Sequence, residues 1–548
     1  MEAPLRLHRL GKFFRRRHLR RCSTTAESTS SGWLASIGLE VHVQLKVDSK
    51  LFSGAPSLFT SVCNAAVAPL DASLPGTLPV LNRAALERAL LASVALACRV
   101  HEVSRFERKH YFYADIPTGY QITQQREPLA TEGALAYYVH DPHLFGTDQQ
   151  AAKALSRRAS TPILQVQIEQ DSGRSIHMDD RKGGGPKTLV DLNRCGIALI
   201  EVITGPTLTN GLEAYCFVKE LQFLLRRLGV SDARMERGEM RVDANISVRP
   251  TEKAPLGVRT EVKNVQTMRL VRHAVDYEIK RQIEMLSHGE AVVNETRKYD
   301  ADRRCTVEMR DKELKQDYRF MPEPNLPPVR LSAVGDGQLL CGARAALAAS
   351  PAPLRDVWID DCGVNAVVAI FIESKADLCA YFTESVAALG NKAAAAVLAD
   401  LLVLDLKKSL ANAKLPIADS SFPTGTLAEL ATLVRDGEVT PATAGVVIDA
   451  FVALSKEGGR PPALLDYVHD NELTRIREPQ RVLQLCSAHL AATRPKQRKR
   501  LASELARGVT DGKYMKKFIG HLSTALRGRI AVEDAATATR QLIMAPKD

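Results

Sequence analysis

Between Trp33 and Leu45 apolar and polar residues alternate. Ile37, Leu39, Val41, Val43 and Leu45 hold one phase, while Gly38, Glu40, His42 and Gln44 hold the other. A period of two predicts a β-strand with one apolar and one polar face. Its polar face sets Glu40 and His42 about 7 Å apart, as next neighbours on one side of a strand. A carboxylate beside an imidazole can hold a divalent cation or move protons. Taken alone, the pair reads first as a solvated strand face, but the same pattern recurs.

Residues 164–171 alternate again, and Glu169 and Asp171 share a face. Residues 197–203 form an apolar run whose only charge is Glu201. One acid inside such a strand is costly unless a cation or metal satisfies it. Residues 240–249 put Arg241, Asp243, Asn245, Ser247 and Arg249 on one face, and residues 259–264 repeat the device with Glu261 and Lys263. Helical spacing appears at 82–97, with Asn82 as cap, at 212–228 before Gly229, and at 267–288 before Gly289. The proline-rich stretch 322–328 closes this mixed region. Beyond it the pattern changes to Ala and Leu at helical spacing over 351–474, and a smaller helical stretch follows from about 478.

Composition changes this picture in a few places. A chain of 548 residues exceeds one core and calls for several domains. Its 25% charged and 45% hydrophobic residues are those of a globular protein, and no apolar run is long enough to cross a membrane. The net charge of +11 is concentrated at the start, where eight Arg and Lys among the first 21 residues face only Glu2. This Arg-rich, acid-poor segment, followed by Ser and Thr, has the composition of a mitochondrial transit peptide. A basic arm that touches RNA is the alternative. The ten cysteines are scattered without a Cys-x-x-Cys pair, which predicts free thiols and no thiol-based metal site.

Two further stretches invite chemistry. Residues 105–117 pack Arg105, Arg108 and Lys109 with Phe106, Tyr111, Phe112 and Tyr113 before a Pro117–Gly119 turn. They suit either phosphate contact with ring stacking or an amphipathic strand with core rings. Gly183-Gly184-Gly185-Pro186-Lys187 is no Walker A loop, because Pro186 stands before the lysine; it predicts a flexible hairpin tip. Basic clusters at 494–500 and 513–517 are either an RNA-backbone surface or solvated helix faces. If the strands share a sheet, several acids and one imidazole converge. Such an oxygen-rich site suits Mg²⁺ or Mn²⁺ over Zn²⁺, and beside lysines and arginines it suits phosphoryl transfer.

Several runs carry a family resemblance: Gly38-Leu39-Glu40-Val41-His42-Val43-Gln44-Leu45, Lys50-Leu51-Phe52-Ser53-Gly54 and Arg108-Lys109-His110-Tyr111-Phe112-Tyr113. Further along come Asp191-Leu192-Asn193-Arg194-Cys195-Gly196-Ile197, Asp243-Ala244-Asn245-Ile246-Ser247-Val248-Arg249, Arg259-Thr260-Glu261-Val262-Lys263-Asn264 and Asp317-Tyr318-Arg319-Phe320-Met321-Pro322-Glu323-Pro324. In kind and order they resemble the B subunit of the tRNA-dependent amidotransferases (GatB), in its mitochondrial form, from Trp33 to the end.

The resemblance implies a mixed α/β, largely antiparallel, cradle-shaped catalytic domain followed by two all-α domains. The boundaries it suggests are an arm at 1–32, the catalytic domain at 33–330, a linker at 331–350, a helical domain at 351–477 and a tRNA-binding tail at 478–548. It implies a glutamine-hydrolysing carbon–nitrogen ligase of the mitochondrial matrix. ATP and Mg²⁺ would activate the glutamyl group of Glu-tRNA(Gln) as a γ-phosphoryl species. Ammonia from a partner amidase, the A subunit, would give Gln-tRNA(Gln), and a small C subunit would complete the complex. Glu40, His42, Lys109, Glu169 and Glu201 would be catalytic. Glu40, His42, Glu169, Glu201 and Glu261 would hold metal, and Arg108, Tyr111, Tyr113, Arg241, Asn245 and Lys263 would bind substrate or phosphate. Zinc-binding members carry cysteines where this chain has Ser53, Ala55, Ala68 and Asp71, so no zinc is expected. The 140–158 stretch departs from the family pattern and predicts a surface loop. A non-catalytic tRNA-binding scaffold is the competing reading. A stand-alone glutaminase is disfavoured, since no Ser-x-Gly-rich amidase segment is present.

Overall fold

The computed structural model describes residues 32–142, 156–178, 187–265, 267–309, 317–331, 337–417, 422–459, 461–510 and 512–544. The basic N-terminal arm, the tip of the glycine-rich hairpin and most of the 140–158 stretch lie outside the described residues. At the edges of that last stretch, His140 is buried and a strand begins at Arg157.

Contacts divide the chain into two units, the first ending at Pro351. Its strands, in chain order, are β1 (Leu34–Gln44), β2 (Arg99–Val100), β3 (Val103–Ser104), β4 (Glu107–His110), β5 (Tyr120–Thr123), β6 (Ala130–Val139), β7 (Arg157–Gln170), β8 (Arg174–Met178), β9 (Lys187–Asp191), β10 (Ala198–Thr204), β11 (Met240–Arg249), β12 (Thr260–Val265), β13 (Thr296–Asp300), β14 (Cys305–Glu308), β15 (Met321–Pro322) and β16 (Val329–Arg330). Nine form one sheet in the order β14-β13-β12-β11-β1-β10-β7-β6-β2. Every pairing is antiparallel except β12 with β13. The strand with the strictest alternation, β1, is the central one.

The alternation decides which face is which. Ile37, Leu39, Val41 and Val43 are at most 1% exposed. Burying such a side chain contributes roughly 1.5–3 kcal/mol, so a one-residue slip that exchanged the faces is strongly disfavoured. Helices cover this apolar face, α1 (Arg83–Ala95), α2 (Gly211–Arg227) and α3 (Met268–Ser287), and α4 (Gly337–Ala349) packs on α1. Asn82 caps its helix as the sequence indicates, and two further caps appear. Asn82, Asn210 and Thr267 each accept hydrogen bonds from first-turn amides of α1, α2 and α3. Residues 337–349 fall inside the stretch expected to be a linker. They form α4 instead, whose Leu339 and Ala343 join the core beside α1.

The opposite, polar face of the sheet is approached by a smaller sheet in the order β15-β4-β5. Its strand β5 packs on β7. The chain flanking the glycine-rich tip, β8 and β9, forms an antiparallel hairpin as expected, pairing Met178 with Lys187.

From Ala352 onward the regular elements are helices. One apolar cluster gathers Trp358, Phe382, Leu402, Phe422 and Phe451, and a second gathers Val482, Cys486, Phe518 and Ile519. The second is a small core of its own, tied to the first by Thr440 donating to the Gly528 carbonyl (2.6 Å) and by Arg475 with Asp534 (2.7 Å). The basic residues Lys496, Arg498, Lys499 and Arg500 are exposed on the helix Pro495–Ala506. No helix is long and apolar enough to cross a membrane among the described residues. The nine described cysteines are free thiols.

A buried ion pair braces the chain before α1 in the first unit. Lys50 is fully buried, and its ammonium donates to Asp71 (2.9 Å) and to the Leu192 carbonyl (3.3 Å). Asp71 also accepts from the Ser53 hydroxyl (2.9 Å) and the Ala68 amide (2.8 Å). Gly196, at φ +85°, leaves room for this carboxylate, since a Cβ there would stand 2.8 Å from its oxygen. The four positions where the resemblance would put zinc-binding cysteines, Ser53, Ala55, Ala68 and Asp71, thus offer one carboxylate and no thiolate. The nearby Cys195 thiol is pushed up to about 12 by burial, then by Asp71. That donor set does not suit zinc; an ion pair closes the loop between residues 50 and 71. Breaking a buried pair from one side leaves the other charge uncompensated. Asp71→Ala is therefore expected to cost about 3–5 kcal/mol, read as a lower urea midpoint of unfolding. The double variant Lys50→Met/Asp71→Ala should recover part of that loss.

Candidate functional site

The site grows out of strand register. His42 lies opposite Glu201 on one side and Arg241 on the other, and Glu201 lies opposite Gln167. Glu40 lies opposite Asp243, and Asn245 opposite Glu261. Residues facing one another across a ladder share a face, so β7, β10, β1, β11 and β12 place these polar side chains on one surface. This is the convergence that the alternation predicted.

At its centre the His42 Nδ1 stands 2.8 Å from a Glu169 oxygen, and its Nε2 stands 4.0 Å from Glu201. Glu169 and Glu201 are both buried. One donor atom from each of the three residues lies within 4.8 Å of the other two. The second Glu169 oxygen accepts from the Thr123 hydroxyl (3.3 Å), and Gln167 donates to Glu201. Burial alone would lower the histidine's pKa, but Glu201 and Glu169 outweigh it and raise the imidazole to about 9. Burial works against the charge of Glu169, yet the imidazolium overrides it and holds that carboxyl below its ordinary range. Glu201 is raised to about 7 by burial and then by Glu169. The proton on His42 thus supplies the positive charge that two neighbouring carboxylates require.

Around this triad the remaining expected residues are distributed unequally. Glu40 sits one row along, accepting from the Asn245 amide (2.8 Å). The Asn245 carbonyl oxygen is buried with no hydrogen-bond partner among the described residues. Arg241 is fixed by Asp171 (2.8 Å), a contact that the shared face of Glu169 and Asp171 foreshadows. Glu261 is two strands from β1, engaged by Lys263 (3.4 Å) and the Thr296 hydroxyl (3.1 Å), so it stands outside the triad. Burial, ahead of the neighbouring charges, raises Asp243.

The β4–β5 hairpin brings Lys109 over this face. Its ammonium lies 4.7 Å from the Tyr318 ring centroid, close enough to the carboxylates to favour the charged forms of Glu169 and Glu201. Tyr111 donates to Gln121 (3.0 Å), whose own amide reaches the Gln170 carbonyl (2.7 Å). Tyr113 is half exposed. Arg108 alternates to the other side of β4. There it makes a two-pronged ion pair with Glu323 (2.6 and 3.0 Å) and lies over Tyr120, which anchors the 317–331 segment and turns it away from the phosphate contact expected of it. The rings of the 105–117 run divide likewise: Phe106 is core, and Phe112 is exposed.

Two carboxylates and a nitrogen ligand, with an unpartnered amide oxygen in the next row, form an oxygen-rich donor set that fits Mg²⁺ or Mn²⁺. Gln167 and Thr123, which orient the carboxylates, were not singled out in the sequence. Only the shared phase of Gln167 with Glu169 could have pointed to it.

The histidine's titration checks this electrostatic picture. Its raised pKa makes the ion pair's contribution to stability fully present below about 6.5, its ordinary value, and lost as pH rises through about 9. In the metal-free chain, NMR of labelled histidine is expected to show His42 titrating near 9. Glu169→Gln should move that midpoint down toward 6.5; an unchanged midpoint would contradict the pairing.

Comparison of the sequence with known proteins finds one family over both parts of the chain. The GatB/GatE catalytic domain matches residues 35–334, and the GatB domain matches residues 380–543. The chain is 40% identical over 480 residues to the B subunit of the mitochondrial glutamyl-tRNA(Gln) amidotransferase of Aedes aegypti, covering 86% of this chain and 87% of that one. It is 40% identical over 484 residues to the Homo sapiens mitochondrial protein of the same name, covering 85% and 83%. To the B subunit of the aspartyl/glutamyl-tRNA(Asn/Gln) amidotransferase of Trichodesmium erythraeum it is 35% identical over 444 residues, covering 81% and 86%. The family match over residues 35–334 and the relatives at 40% identity place this chain in the GatB family, the B subunits of tRNA amidotransferases.

Proposed function

We propose that this chain acts in the mitochondrial matrix as the subunit that activates the glutamyl group of Glu-tRNA(Gln), using ATP and Mg²⁺, so that ammonia can replace phosphate and give Gln-tRNA(Gln). The observation that carries the reading is the gathering of His42, Glu169 and Glu201 beneath Lys109. The chain would work with an amidase partner, the A subunit, which releases ammonia from glutamine, and with a small C subunit. The names of its relatives support the substrate and the compartment.

The chemistry explains why such a site is needed. A free carboxylate resists ammonia because its leaving group would be oxide, and the γ-phosphoryl species offers phosphate instead. His42, Glu169 and Glu201, with Glu40 beside them, would hold Mg²⁺, which neutralises phosphate charge when bound. Lys109 would meet the phosphoryl oxygens from the hairpin above. Arg241, steadied by Asp171, and Lys263, beside Glu261, would supply further positive charge along the same face. Tyr111 and Tyr113 would line the approach of the substrate. Exposed cations on the helix Pro495–Ala506 would contact tRNA phosphates.

The competing scaffold reading makes the opposite demand, that the tail is essential and the sheet face expendable. In the assembled complex, His42→Ala is expected to slow ATP-dependent conversion of Glu-tRNA(Gln) by ~100-fold or more, with tRNA binding retained. Glu201→Gln should do the same while leaving glutamine hydrolysis by the partner intact. Wild-type rates in both variants would remove the catalytic assignment.

A further inference from the structure

Phe112 is 85% exposed, the highest value among the exposed large apolar side chains of the described residues. A single exposed phenylalanine is ordinary on a protein surface. What sets this ring apart is its seat. It lies against Gly119, whose φ is +72°, and a Cβ at Gly119 would stand 3.2 Å from the ring. A side chain there would lift the ring and strain the backbone. The loop beneath is braced by its own amides: Tyr111 to the Gly119 carbonyl (3.2 Å), Ile116 to Tyr113 (3.0 Å) and Gly119 to Ile116 (2.9 Å). Gly173 ties it to the main sheet through the Asp115 carbonyl (2.8 Å). The ring is therefore held on one side and open on the other.

Its neighbours point to what covers it. Tyr111 is the preceding residue, linked through Gln121 to the backbone of Gln170 next to Glu169. Tyr113, the following residue, is half exposed and stacks edge-on with Tyr111 at 5.7 Å. Lys109 lies at 5.9 Å from the Tyr111 ring, and Arg319, largely exposed, follows Tyr318. An open ring on the same hairpin that carries Lys109 suits a base stacked on its face while phosphate meets positive charge. We propose that Phe112 is the stacking platform for the 3′-terminal base of the aminoacyl-tRNA, positioning the ester-linked amino acid toward the His42–Glu169–Glu201 face. This rests on the function proposed above. The last base adjoins the ester, so an open ring on the hairpin that carries Lys109 over this face can hold that base while the amino acid enters.

The test uses the assembled complex and two RNA probes, full-length tRNA(Gln) and the same RNA lacking its 3′-terminal adenosine. Wild type should bind the full-length RNA more tightly by roughly tenfold to a hundredfold. Phe112→Ala should lose that preference, binding both alike, and Phe112→Trp should restore it. In turnover, Phe112→Ala should raise the KM for Glu-tRNA(Gln) by a similar factor and leave kcat at saturating tRNA within a few-fold. The side chain is exposed, so its truncation leaves the core untouched. A Phe112→Ala complex that still prefers the full-length RNA as wild type does overturns the proposal, and so does a variant that fails to retain its partner subunits, since the ring would then cover a protein interface. Should His42→Ala convert Glu-tRNA(Gln) at the wild-type rate, the catalytic reading fails instead, whatever Phe112 does.

Discussion

Two carboxylates and an imidazole held together away from water constrain everything around them. Glu169 and Glu201 are both buried, and like charges so placed demand a positive partner. His42, lying across the ladder from Glu201 and bonded to Glu169, answers that demand with its proton. A divalent cation would answer it with two charges, and the donor set fits one. The same repulsion that makes the cluster costly in a plain fold would make it useful in the metal- and phosphate-gathering site proposed above.

The sheet makes this arrangement possible because antiparallel register is specific. The core face of β1 is so completely buried that the strand cannot shift without exposing four aliphatic side chains. Its polar face is then fixed as well, and the neighbouring strands inherit the alignment. Around this rigid surface the less regular parts act as braces. The β4–β5 hairpin delivers Lys109, the Arg108–Glu323 pair anchors the segment that supplies Tyr318, and Lys50 with Asp71 closes the loop before α1. Each of these two ion pairs has at least one deeply buried member, which favours one geometry over many at the expense of tolerance to substitution.

Much of this was legible in the residues. Period-two alternation located β1, β7, β11 and β12 and put the right side chains on their polar faces, and an apolar run around Glu201 located β10. The cap at Asn82 and the helical spacing from 267 marked helix starts to within a residue. The lone acid of β10 was rightly read as needing a partner. Other parts were not legible. The Ala- and Leu-rich pattern of 337–349 resembles the helices that follow it, and only packing assigns α4 to the first core. Arg108 and Lys109 look alike in the sequence, but strand alternation turns one toward Glu323 and the other toward the acids.

The chain by itself determined which residues can share a face, because that depends only on backbone period and on the gain from burying aliphatic side chains. It could not determine which faces meet. The pairing of β1 with β10 on one side and β11 on the other joins residues far apart in the chain, and nothing local encodes their order. Tertiary structure alone therefore decided that His42, Glu169 and Glu201 form the inner triad while Glu261 stands two strands away. The physical reason is that local pattern fixes side-chain direction, whereas proximity is set by the long-range closure of the sheet around its core.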